Sequence, residues 1–453
     1  MQHDVVLTAA ALGALLWPFA ALGLLGLFVV LGRPLAERAT GGVVATSFVL
    51  SLASTLAMDV RFLQLGQPWQ ELHLGTWFEV PGYTFPLTLF LDRTALVVAT
   101  LAAAICGAVG RFSRSYLHRE PGYTRFFLLL GLFGGGMQLL VLGGSFDLLF
   151  AGWELVGFSS ALLIGFFHER DEPAQNALRA FVTYRVCDVG LLLGAILLHH
   201  HAGSAELGVF KQGSLPGGWG LTASGLLFLL AAMGKSAQFP VGGWLPRAME
   251  GPTPSSAVFY GALSVHAGAY LLLRASPLLA QAPQAAAAVV VVGSLTAAVS
   301  TMVGRAQTDV KSSIAYATTT QVGLIFVEIG LGWTTLALVH LTSHACLRTL
   351  QLLRAPSALQ DAQRVVAGAG ARLPTGVRYE RLLPEGLRAR LYGLALARFY
   401  LDDLLVALVA APALRLGQSL VKLERSWIDL LSGAPRPRRK AAVGATSATR
   451  SHP

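Results

Sequence analysis

Several charged and titratable side chains stand inside apolar stretches, where an unpartnered charge is costly and a partnered one marks an ion or proton path. Glu154 lies in the apolar run 146–167, several residues from either end, too deep to reach water by extending its side chain. It reads as a proton site or as half of an ion pair. Asp147, seven residues earlier on the same helical face, sits at the edge and can snorkel. Arg185 and Asp188 follow at i and i+3 in the run 177–198, adjacent on one face. They read as a local pair that lets both charges be buried, and equally as a pair that tunes a neighbouring proton site. Lys235 falls where the run 221–239 breaks. A buried lysine can exchange a proton, with Glu154 as its expected counter-charge; capping of carbonyls at a helix end is the structural alternative.

His340, His344 and Arg348 stand at i, i+4 and i+8 of the run 334–353, one polar stripe on an otherwise apolar helix. Two histidines one turn apart can bind a metal, but a cation follows and no carboxylate is near in sequence. A hydrated proton path fits better, because imidazole titrates near neutral pH. His266, in the run 255–273, either joins that path or is a hydrogen-bonded core residue. Lys311, beside Asp309 at one edge of the run 314–331, reads as a topology lysine or a pathway residue, and Glu328 at the other edge as a solvated acid, with a relay as the alternative. His199 to His201 read as solvated in an outer loop.

The elements that must hold these residues are membrane helices. The chain has 453 residues, 54% hydrophobic and 13% charged, with a mean hydropathy of +0.59, too apolar for a water-soluble globule of this length. Windows of roughly 17 to 25 apolar residues recur up to Leu353, each able to cross the hydrocarbon with its backbone satisfied internally, and about eleven of them are expected. The fold class is therefore an all-α polytopic membrane protein. Its centre is the stretch 234–257, GKSAQFPVGGWLPRAMEGPTPSSA, where prolines and glycines forbid a regular helix and predict a broken one. The expected organisation is N-terminal membrane helices over 1–125, a first repeat with the broken helix over 126–273, and a partial second repeat over 274–353. A basic cytoplasmic linker over 354–398, an amphipathic interfacial helix over 399–431 and a disordered basic tail over 432–453 follow.

The net charge of +10 comes from loops between apolar spans, so topology and anionic lipid explain it and nucleic acid is not expected as a partner. The loop 111–125, with Arg111, Arg114, Arg119 and Arg125, and the Arg33/Arg38 loop belong on the cytoplasmic side, which places the N-terminus outside. The first span is longer than a signal-peptide core and is kept as a retained helix. If the segment 399–431 crossed, Arg436, Arg438, Arg439 and Lys440 would lie outside, against that bias. Cys106, Cys187 and Cys346 are scattered through apolar spans and form no disulfide, zinc or iron–sulfur pattern. The GKS at 234–236 lacks the glycine five residues earlier that a phosphate loop needs, because Leu229 stands there. With no dinucleotide or flavin fingerprint, no metal and no bound cofactor of its own are expected.

Taken together, WELVGFSSALLIGFF, FVTYRVCDVG, the broken-helix stretch, TDVKSSIAYATTTQVGLIF and HLTSHACLRTL resemble the antiporter-like proton-translocating subunits shared by bacterial complex I, cation/proton antiporter complexes and inorganic-carbon accumulation complexes. The likeness is closest to the complex I subunit that ends in a long lateral helix, and FYLDDLLVALVAAPAL resembles the start of that helix. The resemblance implies that Glu154 is the family's fifth-helix glutamate, Lys235 its broken-helix lysine, Arg185 and Asp188 its neighbouring charge pair, and His340 and His344 its eleventh-helix histidines. Tyr260 stands where an eighth-helix histidine is usual, Arg348 where lysine is common and Arg247 where an acid is frequent. Arginine keeps its proton, so position 348 should be a fixed charge. The family's second broken helix has no counterpart after Leu353.

These expectations point to a proton-translocating subunit of a translocase in a bacterial inner membrane, with partner subunits, the lipid bilayer and a soluble catalytic subunit on the cytoplasmic face. Membrane subunits of carbon-accumulation or cation/proton antiporter complexes, a non-conducting scaffold, and a haem protein using His266 with His340 or His344 are the alternatives.

Overall fold

A computed structural model describes residues 4–81, 83–212, 218–369 and 384–432. It divides into two units, Met1–Phe399 and Tyr400–Pro453. Hydrocarbon offers no hydrogen bonds to a backbone, so each apolar window of the first unit folds as a helix. In order these are α1 (Val5–Val30), α2 (Glu37–Leu65), α3 (Arg93–Tyr116), α4 (Tyr123–Leu142), α5 (Phe146–Ile164), α6 (Asp171–Ala202), a short α7 (Leu207–Gln212) and α8 (Trp219–Lys235). The helical stretch Thr253–Arg274 and the helices Pro283–Arg305, Val310–Gly330 and Thr334–Ala369 follow. Among the described residues, eight of these helices are long and apolar enough to cross a membrane, fewer than the eleven windows expected; Trp219–Lys235 is a shorter apolar helix, and Val310–Gly330 and Thr334–Ala369 complete the helices that occupy the remaining windows. The fold is thus that of a polytopic helical membrane protein.

One region departs from the sequence reading. Against the all-α expectation, and despite Pro81 and Pro86, residues 69–92 form a two-stranded antiparallel hairpin, β1 (Trp69–Val80) and β2 (Tyr83–Asp92). Aromatic residues outweigh the prolines. Trp69 stacks on Phe90 at 5.7 Å, Phe78 on Phe85 at 5.4 Å, and Pro86 falls opposite Thr76 beside a register shift, where a missing N–H is tolerated. The hairpin feeds straight into α3, whose cap is Asp92, accepting from the Ala95 N–H at 2.9 Å.

Asp92 also anchors Arg274, a buried guanidinium that ends the Thr253–Arg274 stretch. Arg274 donates to Asp92 at 2.8 Å, to the Tyr270 hydroxyl at 2.7 Å and to the Val141 carbonyl at 3.3 Å. Lys211 of α7 adds a second cation 3.7 Å from Asp92. This clamp ties the hairpin, α3, α4 and the post-break helix together at one end of the bundle.

Two helices run further than composition suggests. α6 extends through His199–His201, which form its last turn before Gly203 closes it in the left-handed conformation at φ 73°, rather than an outer loop. The eleventh helix continues past Leu353 to Ala369, and another, Glu385–Leu396, lies within the stretch expected as a linker. The remainder of that linker, 370–383, and the tail from 433 lie outside the described residues. In the second unit, Leu401–Leu405, a π-helical turn Val406–Ala410 and Ala411–Ser432 form one exposed helical run. Arg415, Lys422, Arg425 and Asp429 recur on one stripe of it, an amphipathic pattern, although Arg398–Ser432 is also long and apolar enough to cross a membrane.

Candidate functional site

α8 stops at Lys235 because the backbone beyond it cannot continue as a helix. Ala237 takes φ 52°, Pro240 has no N–H to give, and the chain resumes only in a single turn, Trp244–Arg247. The backbone groups freed by the break are recaptured by neighbours, the condition for irregular backbone inside a membrane bundle. Trp244 Nε1 donates to the Gly234 carbonyl at 3.0 Å, Phe239 N to Thr296 Oγ1 at 2.9 Å and Ser236 Oγ to the Val265 carbonyl at 2.7 Å.

The side chain of Lys235 is wholly buried. Its ammonium donates to the Trp153 carbonyl at 3.2 Å and lies over the rings of Trp153 and Tyr184, 4.9 and 4.6 Å from their centroids. The nearest carboxylate is Asp188, with Oδ2 at 4.0 Å. Asp188 in turn accepts from Arg185 Nη2 at 2.8 Å and from Trp153 Nε1 at 2.5 Å, and Arg185 Nη1 meets Glu154 directly. Glu154, Arg185, Asp188 and Lys235 thus form one continuous row of alternating charge. Glu154 is not the immediate counter-charge of Lys235, contrary to the sequence reading. The i, i+3 pair of α6 stands between α5 and α8, so Asp188 meets the lysine and Arg185 carries the connection outward. Exposure is low at the Lys235 and Asp188 end, 0% and 4%, and higher at the Arg185 and Glu154 end, 35% and 25%. Gly157 completes the chamber: a Cβ there would stand 2.5 Å from the ammonium.

A second row runs through the histidines. His266 Nδ1 reaches the Ala262 carbonyl at 2.5 Å, His266 Nε2 reaches His344 Nδ1 at 2.9 Å, and Arg348 Nε reaches His344 Nε2 at 3.0 Å. A carbonyl only accepts and a guanidinium only donates. The single assignment that satisfies all three contacts puts one proton on each ring, at Nδ1, with Nε2 accepting. His340 Nδ1 donates to Glu328 at 2.8 Å and its Nε2 contacts the Gln321 side-chain oxygen at 3.0 Å. Glu328, expected in solvent, is 15% exposed and paired. Arg348 also donates to Gln351 at 2.6 Å and borders a cavity of about 480 Å³. The 2.9 Å contact between His266 and His344 leaves no gap for a haem ring between those two.

Among the described residues, the two rows are linked only through sequence neighbours of their members: the Ser236 hydroxyl, next to Lys235, donates to the carbonyl of Val265, next to His266. Tyr260 joins neither row: its hydroxyl donates to the Ser160 carbonyl of α5 at 2.7 Å. Lys311 stands apart as well, 3.4 Å from the Met249 carbonyl. Trp153, Tyr184 and Gln321 were not singled out in the sequence, and only the neighbourhood of Glu154 pointed to the first of them.

A bundle of helices packed around a broken helix, with buried charge rows on either side of the break, defines a polytopic membrane protein of antiporter-like fold. A family model described as NADH:quinone oxidoreductase/Mrp antiporter, TM, matches residues 144–367, and one described as NADH-Ubiquinone oxidoreductase (complex I), chain 5 N-terminus, matches residues 77–127. The chain belongs to this family of antiporter-like membrane subunits. It is 36% identical to NADH-ubiquinone oxidoreductase chain 5 of Metridium senile over 80% of its own length and 59% of that relative. With NADH-quinone oxidoreductase subunit L of Rhodobacter capsulatus it shares 35% identity over 78% of its length and 50% of the relative. The chain therefore spans 43% to 59% of the length of the curated relatives it matches. Among solved structures, it resembles the Mrp complex from Dietzia sp. DQ12-45-1b with a TM-score of 0.63 and 26% identity, covering 83% of this chain and 39% of that one. A second likeness, to an archaeal membrane-bound sulfane sulfur reductase complex at 19% identity and a TM-score of 0.63, covers 76% of this chain and 70% of that one and bears on the fold alone.

Proposed function

We propose that the chain is a proton-translocating membrane subunit of a complex-I-like energy-coupled assembly. The observation that carries the reading is the continuous row Glu154, Arg185, Asp188 and Lys235. Arginine holds its charge throughout, so Arg185 is the fixed member. Asp188 is shared by two cations. When Lys235 gives up its proton, Asp188 is left to Arg185 and draws it away from Glu154; when Lys235 is charged again, Arg185 is freer to hold Glu154. The occupancy of the buried lysine is thereby coupled to the state of the carboxylate near the bundle surface, as coupled ion pairs are. His266, His344, Arg348 and His340 continue the path on the other side of the break, and Lys311 supplies a basic edge rather than a link in either row.

Glu154 and Arg185 are a quarter to a third exposed in mid-span, an expensive position against lipid alone. This supports a neighbouring membrane subunit over the α5/α6 face, with redox or other driving chemistry held by further partners, among them a soluble subunit on the cytoplasmic face. The N-terminus points outward, and the segment 399–431 lies along the membrane surface as a lateral helix. The likeness to an Mrp complex favours, as the second reading, a membrane subunit of a cation/proton antiporter or inorganic-carbon assembly. Proton uptake by vesicles carrying the intact assembly separates active from inert subunits: Glu154→Gln should assemble and lose proton-coupled activity, and unchanged activity would remove the first reading. Sodium dependence of that uptake would select the second.

A further inference from the structure

The end of the bundle that carries the loop 111–125 holds a cavity of about 430 Å³ that neither charge row uses. Its walls are the first turn of α2, the end of α3 and the start of α4. Arg38, Arg111 and Arg114 line it, and among the described residues none of the three guanidiniums donates to a protein acceptor. Glu37, the acid on the wall, is already engaged by His118 at 2.7 Å and by the Arg119 N–H at 3.0 Å. Tyr123 presents a different feature. Its ring is buried, 5% exposed, yet its hydroxyl belongs to the cavity wall and has no hydrogen-bond partner among the described residues. Gly41 lets it sit there, because a Cβ at that position would stand 2.7 Å from the hydroxyl and 3.0 Å from Arg114 Cγ.

Arginines that only set topology need neither a shared cavity nor an unpartnered phenol hydroxyl on its wall. Three unpaired guanidiniums and one phenol hydroxyl around a shared space are a donor set for a tetrahedral oxyanion. Their depth is that of helix termini, where headgroups lie, and basic pockets between membrane helices are a recurrent lodging for anionic headgroups. We propose that this cavity binds a phosphate group, that of an anionic phospholipid headgroup or the same chemistry supplied by a soluble phosphate, with Arg38, Arg111 and Arg114 as ligands and Tyr123 as the inner donor.

The test uses the full chain, in whatever assembly it purifies with, delipidated in an uncharged detergent. Native mass spectrometry after titration with phosphatidylglycerol or phosphatidylcholine reads retained lipid, and melting with added inorganic phosphate reads the soluble source. Phosphatidylglycerol should be retained over phosphatidylcholine, and Arg111→Gln and Arg114→Gln should each lower retention about five-fold. Tyr123→Phe, which keeps the ring's packing, should lower it in the same direction. Arg33→Gln, an equal charge change outside the cavity, should leave it unaltered. Stabilisation by inorganic phosphate that vanishes in the Arg111→Gln/Arg114→Gln double variant would assign the site to a soluble anion. Equal retention of both lipids with no response to phosphate would overturn the proposal, as would undiminished phosphatidylglycerol retention in the double variant.

Discussion

The ammonium of Lys235 stands 4.0 Å from Asp188 Oδ2, and the same oxygen accepts from Arg185 at 2.8 Å. One buried carboxylate therefore serves two cations. Removing it leaves the buried Lys235 ammonium without a carboxylate and Arg185 with Glu154 alone, whereas removing Glu154 leaves the partly exposed Arg185 still paired with Asp188. Asp188→Asn should cost about 3 to 5 kcal/mol, the usual penalty of a broken buried pair, and Glu154→Gln markedly less. Melting of the purified variants in detergent checks this; equal losses would mean that the row is not centred on Asp188.

Gly157 offers a way to move Lys235 without touching its chemistry. A methyl group there would stand 2.5 Å from Nζ, so Gly157→Ala must displace the ammonium from its seat. Misplacement of a reacting group by about 1 Å can cost on the order of 100-fold. Proton transport should fall by that order while expression and assembly persist. Transport equal to the parent's would show that the lysine's position is not critical.

The histidine row makes a spectroscopic claim. Between the Ala262 carbonyl and the Arg348 guanidinium, both His266 and His344 carry one proton, on Nδ1. Nitrogen-15 spectra of ring-labelled protein should show that tautomer for both. Arg348→Ala removes the donor at His344 Nε2 and should alter the His344 signal more than that of His266. An Nε2–H tautomer at either ring in the parent would contradict the chain as drawn.

Much of this was readable from residue types. An apolar window must fold as a helix in hydrocarbon, and Pro240 with its neighbouring glycines must break one, so the bundle and its central break follow from composition and periodicity. Spacing placed Arg185 beside Asp188 and aligned His340, His344 and Arg348, because contacts within a helix are set by its pitch. Contacts between helices were not legible. That Asp188 and not Glu154 faces Lys235 depends on how α6 rotates between α5 and α8, and that Tyr260 turns to Ser160 depends on the π-helical turn Ser256–Ala262. The hairpin Trp69–Asp92 was hidden by its prolines, which tolerate a two-stranded edge. Arg274 carried no signal in the sequence, because its acid, Asp92, lies 182 residues away.

That distant pair sets a pH dependence. Burial pushes the Asp92 carboxyl up, but Arg274, with the Ala95 N–H and Lys211, more than offsets it and holds it below the usual carboxylate range. A folded-state value below the unfolded one gives stability that is present above the ordinary carboxylate range and lost as pH falls through the folded value. Asp92→Asn should lower the melting temperature at neutral pH, by the equivalent of about 3 kcal/mol. The gap between parent and variant should close as the medium is acidified. A gap that stays constant with pH would mean that Asp92 acts through its cap alone.

The central claim is that Lys235 exchanges protons through its row. Its most direct test is proton translocation by sealed vesicles containing the intact assembly, comparing the parent with Lys235→Ala after confirming equal incorporation. Loss of about 100-fold or more is expected, the range of a general acid or base removed from its step. Translocation at the parental rate by fully incorporated Lys235→Ala would contradict it.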